Sequence, residues 1–179
     1  MAEVRPVEPV KLICGIISAD ESLMTSAVDE MTSRHGPVDL DSGLFPFDMT
    51  DYYAAEMGGN LLRKFVSFER LIDPSDIVVI KLGTNAIEKN MAGEERGVVR
   101  RRINLDPGYV TPAKLVLATT KDFAHRIYLG RSIYAEVTLQ FSSRGGIRSF
   151  PWTYPDFASD RYTSFLQSVR ERLLEKSKS

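Results

Sequence analysis

Short apolar runs alternate with amphipathic stretches along the chain. The runs at 10–18, 77–82 and 114–119 are each brief and bounded by turn or cap signals. Continuous apolar runs of this length are typical of strands that are covered on both faces. The pattern therefore predicts three buried strands that lie in one sheet.

Three stretches have helical spacing. Ser18 and Glu21 form a capping-box signature, so we expect a helix that begins after Ser18 and ends at Gly36-Pro37. A second helix is predicted from Asp51 to about Leu71, with a break near its two adjacent glycines. A third is predicted from about 157 to 176, and its inward residues are Tyr162, Phe165, Leu166, Val169 and Leu173.

Strict alternation of apolar and polar residues over 126–141 predicts a β-hairpin. A three-residue loop at 130–132 would place Tyr128 opposite Tyr134 and Arg126 opposite Glu136, with Leu129 opposite Ile133. This register keeps one face wholly apolar, and we expect that face to pack against the helices. Separately, the Asp-Pro-Gly sequence at 106–108 predicts a turn.

The chain also contains an internal echo. Residues 45–52 resemble 150–157, and 9–13 resemble 112–116. A true duplication and a chance match of proline-aromatic segments both remain open. The second segment predicts a rigid lid, with Asp156 capping the helix that follows.

Together these patterns predict an α/β or α+β fold, in which helices pack on a mixed sheet and a hairpin and a helix lie near the C-terminus. A pseudo-two-fold duplication with halves at 9–72 and 112–176 is part of this hypothesis. We expect 1–179 to form a single globular domain, with 1–8 as a loose tail.

Composition narrows the function classes. The chain is 43% hydrophobic and 26% charged, with a net charge of −1, which makes nucleic-acid binding unlikely. No stretch is long enough to span a membrane, and no signal peptide begins the chain, so we expect a cytoplasmic protein. One cysteine, Cys14, and two histidines without paired spacing argue against zinc. Glycine motifs for NAD or a phosphate loop are absent from the sequence.

Positive charge concentrates around residues 100–126, beside predicted buried strands. Convergent lysines and arginines are what a phosphate or carboxylate ligand needs. The candidate ligand-binding residues are Lys81, Arg102, Asn104, Lys121, Arg126, Tyr128 and Tyr134. The candidate catalytic residues are His125, Glu136 and Asp106, of which Asp106 and Glu136 could instead hold Mg²⁺. Solvated charges, a hydrogen-bonded structural histidine and an ordinary solvent face remain alternative interpretations.

Two function classes follow. The first is a protein that binds or acts on a phosphate-bearing small molecule such as a nucleotide, with Lys121 and Arg126 within one ligand's reach of Asn104 and Asp106. The second is a non-catalytic module that contacts a protein through its aromatic-proline segments. The sequence does not decide between an enzyme and a binding protein, and it sets no oligomeric state.

Several long segments carry a family resemblance. They include NLDPGY at 104–109, KLVLATTK at 114–121, HRIYL at 125–129, YAEVTL at 134–139 and PWTYPD at 151–156. With FPF at 45–47 and the 52–58 segment, they resemble the prokaryotic family described as domain of unknown function 4416. The resemblance spans nearly the whole chain. It implies a compact prokaryotic protein and brings no catalytic roles with it.

Overall fold

A computed structural model of the chain describes residues 1, 3–50, 53–95, 97–142 and 146–176. The strands are β1 (Val10–Ser18), β2 (Val38–Pro46), β3 (Leu62–Ile72), β4 (Gly93–Glu95), β5 (Val98–Arg100), β6 (Ile103–Val110), β7 (Lys114–Thr119), β8 (Ile127–Gly130), β9 (Ile133–Phe141) and β10 (Ile147–Ser149). The helices are α1 (Glu21–His35), α2 (Ala54–Met57), α3 (Ile77–Asn90), α4 (Pro155–Ala158) and α5 (Thr163–Lys176).

One sheet organises the fold. Its strand order is β10-β9-β7-β6-β1-β3-β2, β8 also pairs with β9, and the pairs described are antiparallel. β4 and β5 form a separate hairpin. Helices with an antiparallel sheet place the protein in the α+β class, which confirms the predicted fold class.

Helices cover both faces of the sheet. On one face, Leu12, Cys14 and Ile16 of β1 pack with buried residues of α1 and α3. On the other face, Ile13 packs with buried residues of α5. Because successive strand residues point to opposite faces, β1 is buried at each of its positions. The continuous apolar run at 10–18 is explained by this burial on both faces. Burial also raises the pKa of the Cys14 thiol.

Two of the predicted elements are wrong in type. The run at 77–82 begins α3, because Ile77, Ile80, Thr84 and Ile87 are buried at helical spacing. Periodicity cannot separate a short buried strand from the start of a buried helix. Residues 62–72, predicted as helix, form β3 instead. β3 pairs with both β1 and β2. It buries Val66 and Phe68 on one face of the sheet and Phe65 on the other, which hides its alternation.

Smaller corrections concern caps and turns. Asp20, rather than Ser18, caps α1 and accepts hydrogen bonds from the N–H groups of Ser22 and Leu23. Residues 106–108 lie inside β6, where pairing with β1 overrides the local turn preference. Tyr154 precedes α4, so Asp156 lies within that helix and does not cap it. The inward residues predicted for the last helical segment are buried, as expected.

The predicted hairpin exists with a different loop. Tyr128 lies opposite Tyr134 as predicted, but Gly130 rather than Leu129 lies opposite Ile133. Arg131 and Ser132 have φ values of 53° and 61°, which a two-residue hairpin turn requires. Ile127 is 67% exposed, so the predicted packing of this part of the apolar face against helices is wrong. β8 lies beyond β9, outside the layer that the helices cover.

Strands from both predicted halves share the one sheet. β1 and β7, which carry the upstream echo, flank the same strand, β6. A helix follows β1, however, whereas a hairpin follows β7. Within the described residues, no helix is both long and apolar enough to cross a membrane.

Candidate functional site: a cleft between diverging strands

The sheet splits between β6 and β7. β6 pairs with β1 over its full length, from Ile103 opposite Ser18 to Val110 opposite Lys11. Its pairing with β7 covers only 108–110 opposite 115–117. Beyond this point β7 follows β9 instead. The divergence leaves backbone groups of β6 without a neighbouring strand and opens a cleft.

Side chains of α3 replace the missing strand. The N–H of Leu105 donates to Glu88 Oε1 at 2.6 Å, and Nζ of Lys81 donates to the Leu105 carbonyl at 2.8 Å. A buried backbone group without a partner is costly, so these two contacts stabilise the split. Burial raises the pKa of Glu88, while Lys81 and Arg101 act in the opposite direction.

Two special residues lie at the point of divergence. Pro107 shares the orientation of Leu105 in the strand, and it lacks an N–H where β7 has moved away. Gly108 lies where the two backbones still touch. A Cβ at this position would come within 2.4 Å of the Val116 carbonyl oxygen. The Pro-Gly pair therefore fits the end of the β6–β7 pairing rather than a turn.

A buried arginine forms the floor of the cleft. Arg63 Nη1 donates to Asp106 Oδ2 at 3.1 Å, and the Arg63 guanidinium carbon lies 4.6 Å and 5.1 Å from the ring centroids of Phe65 and Phe157. Gly15 makes room for it, because a Cβ there would lie 2.7 Å from Arg63 Nη2. Burial alone would raise the pKa of Asp106, but Arg63 and Lys81 hold it below its usual value.

Three side chains at this floor, those of Arg63, Asp156 and Asn104, have buried polar atoms without a normal hydrogen bond to a described residue. Nε of Arg63 and Oδ2 of Asp156 are 3.9 Å apart, and neither has a hydrogen-bond partner among the described residues. Burial raises the pKa of Asp156 despite the nearby Arg63. Asn104 is 3% exposed; its Oδ1 accepts from Arg101 Nη2, but its Nδ2 makes no normal hydrogen bond with a described residue. Buried polar atoms of this kind are uncommon in structural cores.

A second charged cluster forms the opposite wall, around Glu136. Its Oε2 lies 2.9 Å from Arg126 Nε and 3.0 Å from His125 Nε2, and its Oε1 accepts from Thr138 Oγ1 at 3.2 Å. The side chains of Glu136 and Arg126 are only 2% and 3% exposed. Arg126 also donates to the Tyr154 hydroxyl at 2.7 Å. This predicted pair is therefore a buried ion pair, not a solvent-facing one.

Stacked aromatic rings border this wall. The His125 ring lies nearly parallel to Phe123 and to Trp152, with centroid distances of 6.1 Å and 5.3 Å. Trp152 stacks in turn on Phe150 at 5.0 Å. Nε1 of Trp152 donates to the Val137 carbonyl at 3.0 Å, which ties the aromatic-proline segment to β9. The segment therefore packs along the cleft, as a lid would.

The cleft has a volume of about 590 Å³, within the usual range for small-molecule sites. Among the described residues, its lining carries six cationic side chains and four carboxylates: Arg63, Lys81, Lys89, Arg101, Lys121 and Arg126, with Glu88, Asp106, Glu136 and Asp156. Positive charge is therefore in excess. Phe47, Tyr53, Phe123, Trp152, Tyr154 and Phe157 supply aromatic surface.

Comparison with known proteins identifies a family. The sequence model described as "Domain of unknown function (DUF4416)" matches residues 8–173. The chain belongs to this family. No curated protein and no solved structure matched this DUF4416 chain.

The structure gathers most of the predicted site residues of this DUF4416 protein around the cleft. Those that line it are Lys81, Asn104, Asp106, Lys121, His125, Arg126 and Glu136. Arg102 does not; it pairs with Asp20 at 2.9 Å and borders a smaller groove. Tyr128 and Tyr134 also lie outside the lining, where their rings contact each other at 5.3 Å.

Sequence reasoning missed several lining residues of this DUF4416 chain. Arg63 lies in a segment predicted as helix, and Glu88 and Lys89 lie in α3, whose start is predicted as a strand and whose end falls in a segment, 86–101, predicted as a loop with a short helix. Arg63 is buried two residues before Phe65 in β3, so a correct assignment of the strand would have placed it on the same buried face as Phe65. Arg101 belongs to the run of three arginines at 100–102, for which a solvated loop charge is the simpler interpretation, yet it pairs with Glu88 at 2.7 Å.

A resident metal does not fit the donor set. The described residues contain no group of three or more His, Cys, Asp or Glu side chains arranged to hold a metal ion. Asp106 and Glu136, the carboxylates suggested for Mg²⁺, instead face Arg63 and Arg126. Each of these two carboxylates already forms an ion pair with an arginine.

Proposed function

We propose that the cleft binds a phosphate-bearing small molecule with a planar ring, a nucleotide being the class that fits. The observation that carries this proposal is the excess of cationic side chains in a cleft that also has aromatic walls. Charged groups are expensive to bury, and here they line a cavity instead of filling a core. A cytoplasmic location remains part of the proposal.

The lysines are the cations best suited to an anionic ligand. Arg63, Arg101 and Arg126 already contact carboxylates. Lys89 and Lys121 line the cleft and are exposed on its rim, where a ligand can reach them. Lysine acts as a compact point charge that binds phosphate oxygens. The arginines would then shape the site, while the lysines contact the ligand.

Planar rings and an amide offer contacts to a base. Tyr154 is 43% exposed at the cleft, and an aromatic face stacks on any nucleobase with a contribution of about 1–3 kcal/mol. Asn104, whose buried Nδ2 has the Asp106 carboxylate nearby but makes no normal hydrogen bond with a described residue, supplies a hydrogen-bond donor at the floor. An unsatisfied buried donor gains most from a ligand that accepts its hydrogen bond.

Calorimetric titration with ATP, AMP and inorganic phosphate tests the proposal. We expect Lys121→Ala to weaken ATP binding roughly tenfold or more, because a charge-assisted hydrogen bond contributes about 1.5–3 kcal/mol. Lys114→Ala is the matched control, since Lys114 is exposed at the start of β7, the strand that ends two residues before Lys121. The proposal fails if neither nucleotide nor phosphate binds, or if both variants bind like the wild type.

Arg126→Ala is a poorer test of binding. The Arg126 guanidinium contacts Glu136, Tyr154 and the Lys121 carbonyl. Removing it would leave a buried carboxylate without its cation and reduce stability as well as affinity. A change at Lys121 alone separates the two effects.

A second candidate is a protein-interaction module. Trp152 and Tyr154 of the aromatic-proline segment are partly exposed, and Ile127 and Tyr128 of β8 are 67% and 60% exposed. The hydrogen bond from Arg126, which precedes Ile127, to the Tyr154 hydroxyl brings the two segments together. Clustered exposed apolar side chains mark interaction sites. This candidate gains support if the calorimetric titrations show no heat while Trp152→Ala abolishes capture of a defined protein partner.

A further inference from the structure

We propose that the cleft is catalytic, and that His125 transfers a proton while water cleaves a phosphate ester or anhydride bond of the bound nucleotide. The inference rests on the proposed function, because the substrate must occupy the same cleft. It goes further, because a binding site needs no group that takes up and returns a proton.

The hydrogen bond to Glu136 sets the tautomer of the imidazole. Nε2 of His125 lies 3.0 Å from Glu136 Oε2. A carboxylate that also faces Arg126 accepts hydrogen bonds, so Nε2 of the neutral ring carries the proton. The lone pair then resides on Nδ1, which makes no hydrogen bond with a described residue. This is the state that a general base requires.

The ring is also held in place. Phe123 and Trp152 lie on either side of it, with interplanar angles of 5° and 11°. The Glu136 carboxylate is in turn fixed by Arg126 and Thr138. His125 is 23% exposed by its side chain and lines the cleft. A base oriented by a buried carboxylate is the arrangement found repeatedly in hydrolytic sites.

The cationic side chains of the cleft supply electrostatic stabilisation of the transition state. Charge spreads over the equatorial oxygens during phosphoryl transfer, and positioned cations stabilise it. Lys81 and Lys121 line the same cleft as His125. Both kinds of group needed for hydrolysis without a resident metal are therefore present in one cavity.

The step balances with water as the co-reactant. Nδ1 of His125 removes a proton from water, and the water oxygen forms a bond to phosphorus. The bond between phosphorus and the leaving oxygen breaks, and its electron pair stays on that oxygen. The imidazolium then gives its proton to solvent, which regenerates the neutral ring, and the leaving oxygen takes a proton from solvent, because it departs on the far side of phosphorus. No oxidant or reductant takes part.

The experiment incubates the full chain with ATP and with AMP and follows cleavage by phosphorus NMR. We expect His125→Ala to bind either nucleotide like the wild type, while kcat falls about 10²–10⁴-fold. Added imidazole should restore part of the rate, since it can occupy the gap between Phe123 and Trp152. Glu136 is a positioning residue, so the double variant H125A/E136Q should not be rescued. A merely structural role for Glu136 would not abolish rescue.

Each outcome decides a separate point. Binding of ATP or AMP without cleavage, or an H125A rate equal to the wild-type rate, overturns the catalytic inference and leaves the proposed function standing. Failure of both nucleotides to bind overturns both. Equal rescue of H125A and H125A/E136Q overturns the positioning role of Glu136. If E136Q proves unstable, H125A and its rescue still decide the role of His125.

Discussion

Replacing Gly108 with alanine should destabilise the protein at the base of the cleft. The added Cβ would lie 2.4 Å from the Val116 carbonyl oxygen and 2.6 Å from Leu117 Cδ2. The first contact is with backbone, which cannot rotate away, and β6 and β7 pair over only three residues here. Overpacking costs about 1–3 kcal/mol. We expect the upper part of this range, about 2–3 kcal/mol.

Urea denaturation followed by circular dichroism measures this loss. A loss of about 2–3 kcal/mol corresponds to roughly 5–10 °C in Tm for a chain of this size. Gly59→Ala is the matched control, because a Cβ there meets nothing within 4 Å, and we expect a change within about 0.5 kcal/mol. If G108A matches the wild type to within about 0.5 kcal/mol at an unchanged m-value, the argued contact between β6 and β7 is wrong.

Two further predictions concern charge. Arg126→Ala should lower the free energy of unfolding by about 3–5 kcal/mol, because it leaves Glu136 buried without its cation. The control, Arg34→Ala, removes an exposed helix pair with Glu30 and should change the free energy of unfolding by less than about 0.5 kcal/mol. Equal losses for the two variants in denaturant titrations would contradict this reasoning. Asp156→Asn should raise Tm at pH 7, because burial raises the pKa of Asp156 and the folded state therefore loses stability as pH rises through that pKa. Calorimetry should show the difference vanishing below about pH 4, near the unfolded pKa of about 3.9, whereas a constant difference would exclude this cause.

Local sequence determined those elements whose pattern of apolar residues matches the burial that the fold gives them. β1 and β7 follow from short apolar runs, and the burial of Met24, Ala27 and Met31 follows from the helical stripe of α1. The pairing of Tyr128 with Tyr134 follows from alternation. In each case one physical preference, burial of an apolar face, decides the structure without help from distant residues.

Tertiary structure decided β3 and the start of α3. The run at 77–82 is apolar enough for a strand or a helix, and β3 mixes charged and apolar residues and buries Phe65 on one face and Val66 and Phe68 on the other, so neither pattern has a clear period. The Asp-Pro-Gly segment prefers a turn locally, yet β1 pairs with it residue by residue. Local preferences of about 1 kcal/mol are readily overridden by such pairing and burial.

The contacts of the candidate site also fall into those that the sequence predicts and those that only the tertiary structure creates. The sequence by itself placed Lys121, His125 and Arg126 close together, because they are neighbours in the chain. It could not show that Arg63 lies beneath Asp106, or that Lys81 and Glu88 bond the backbone of β6. Those contacts join residues 17 to 43 positions apart, and the two that involve the Leu105 backbone exist because β6 and β7 diverge. The sequence determined which charges the chain carries; the split in the sheet decided which of them meet.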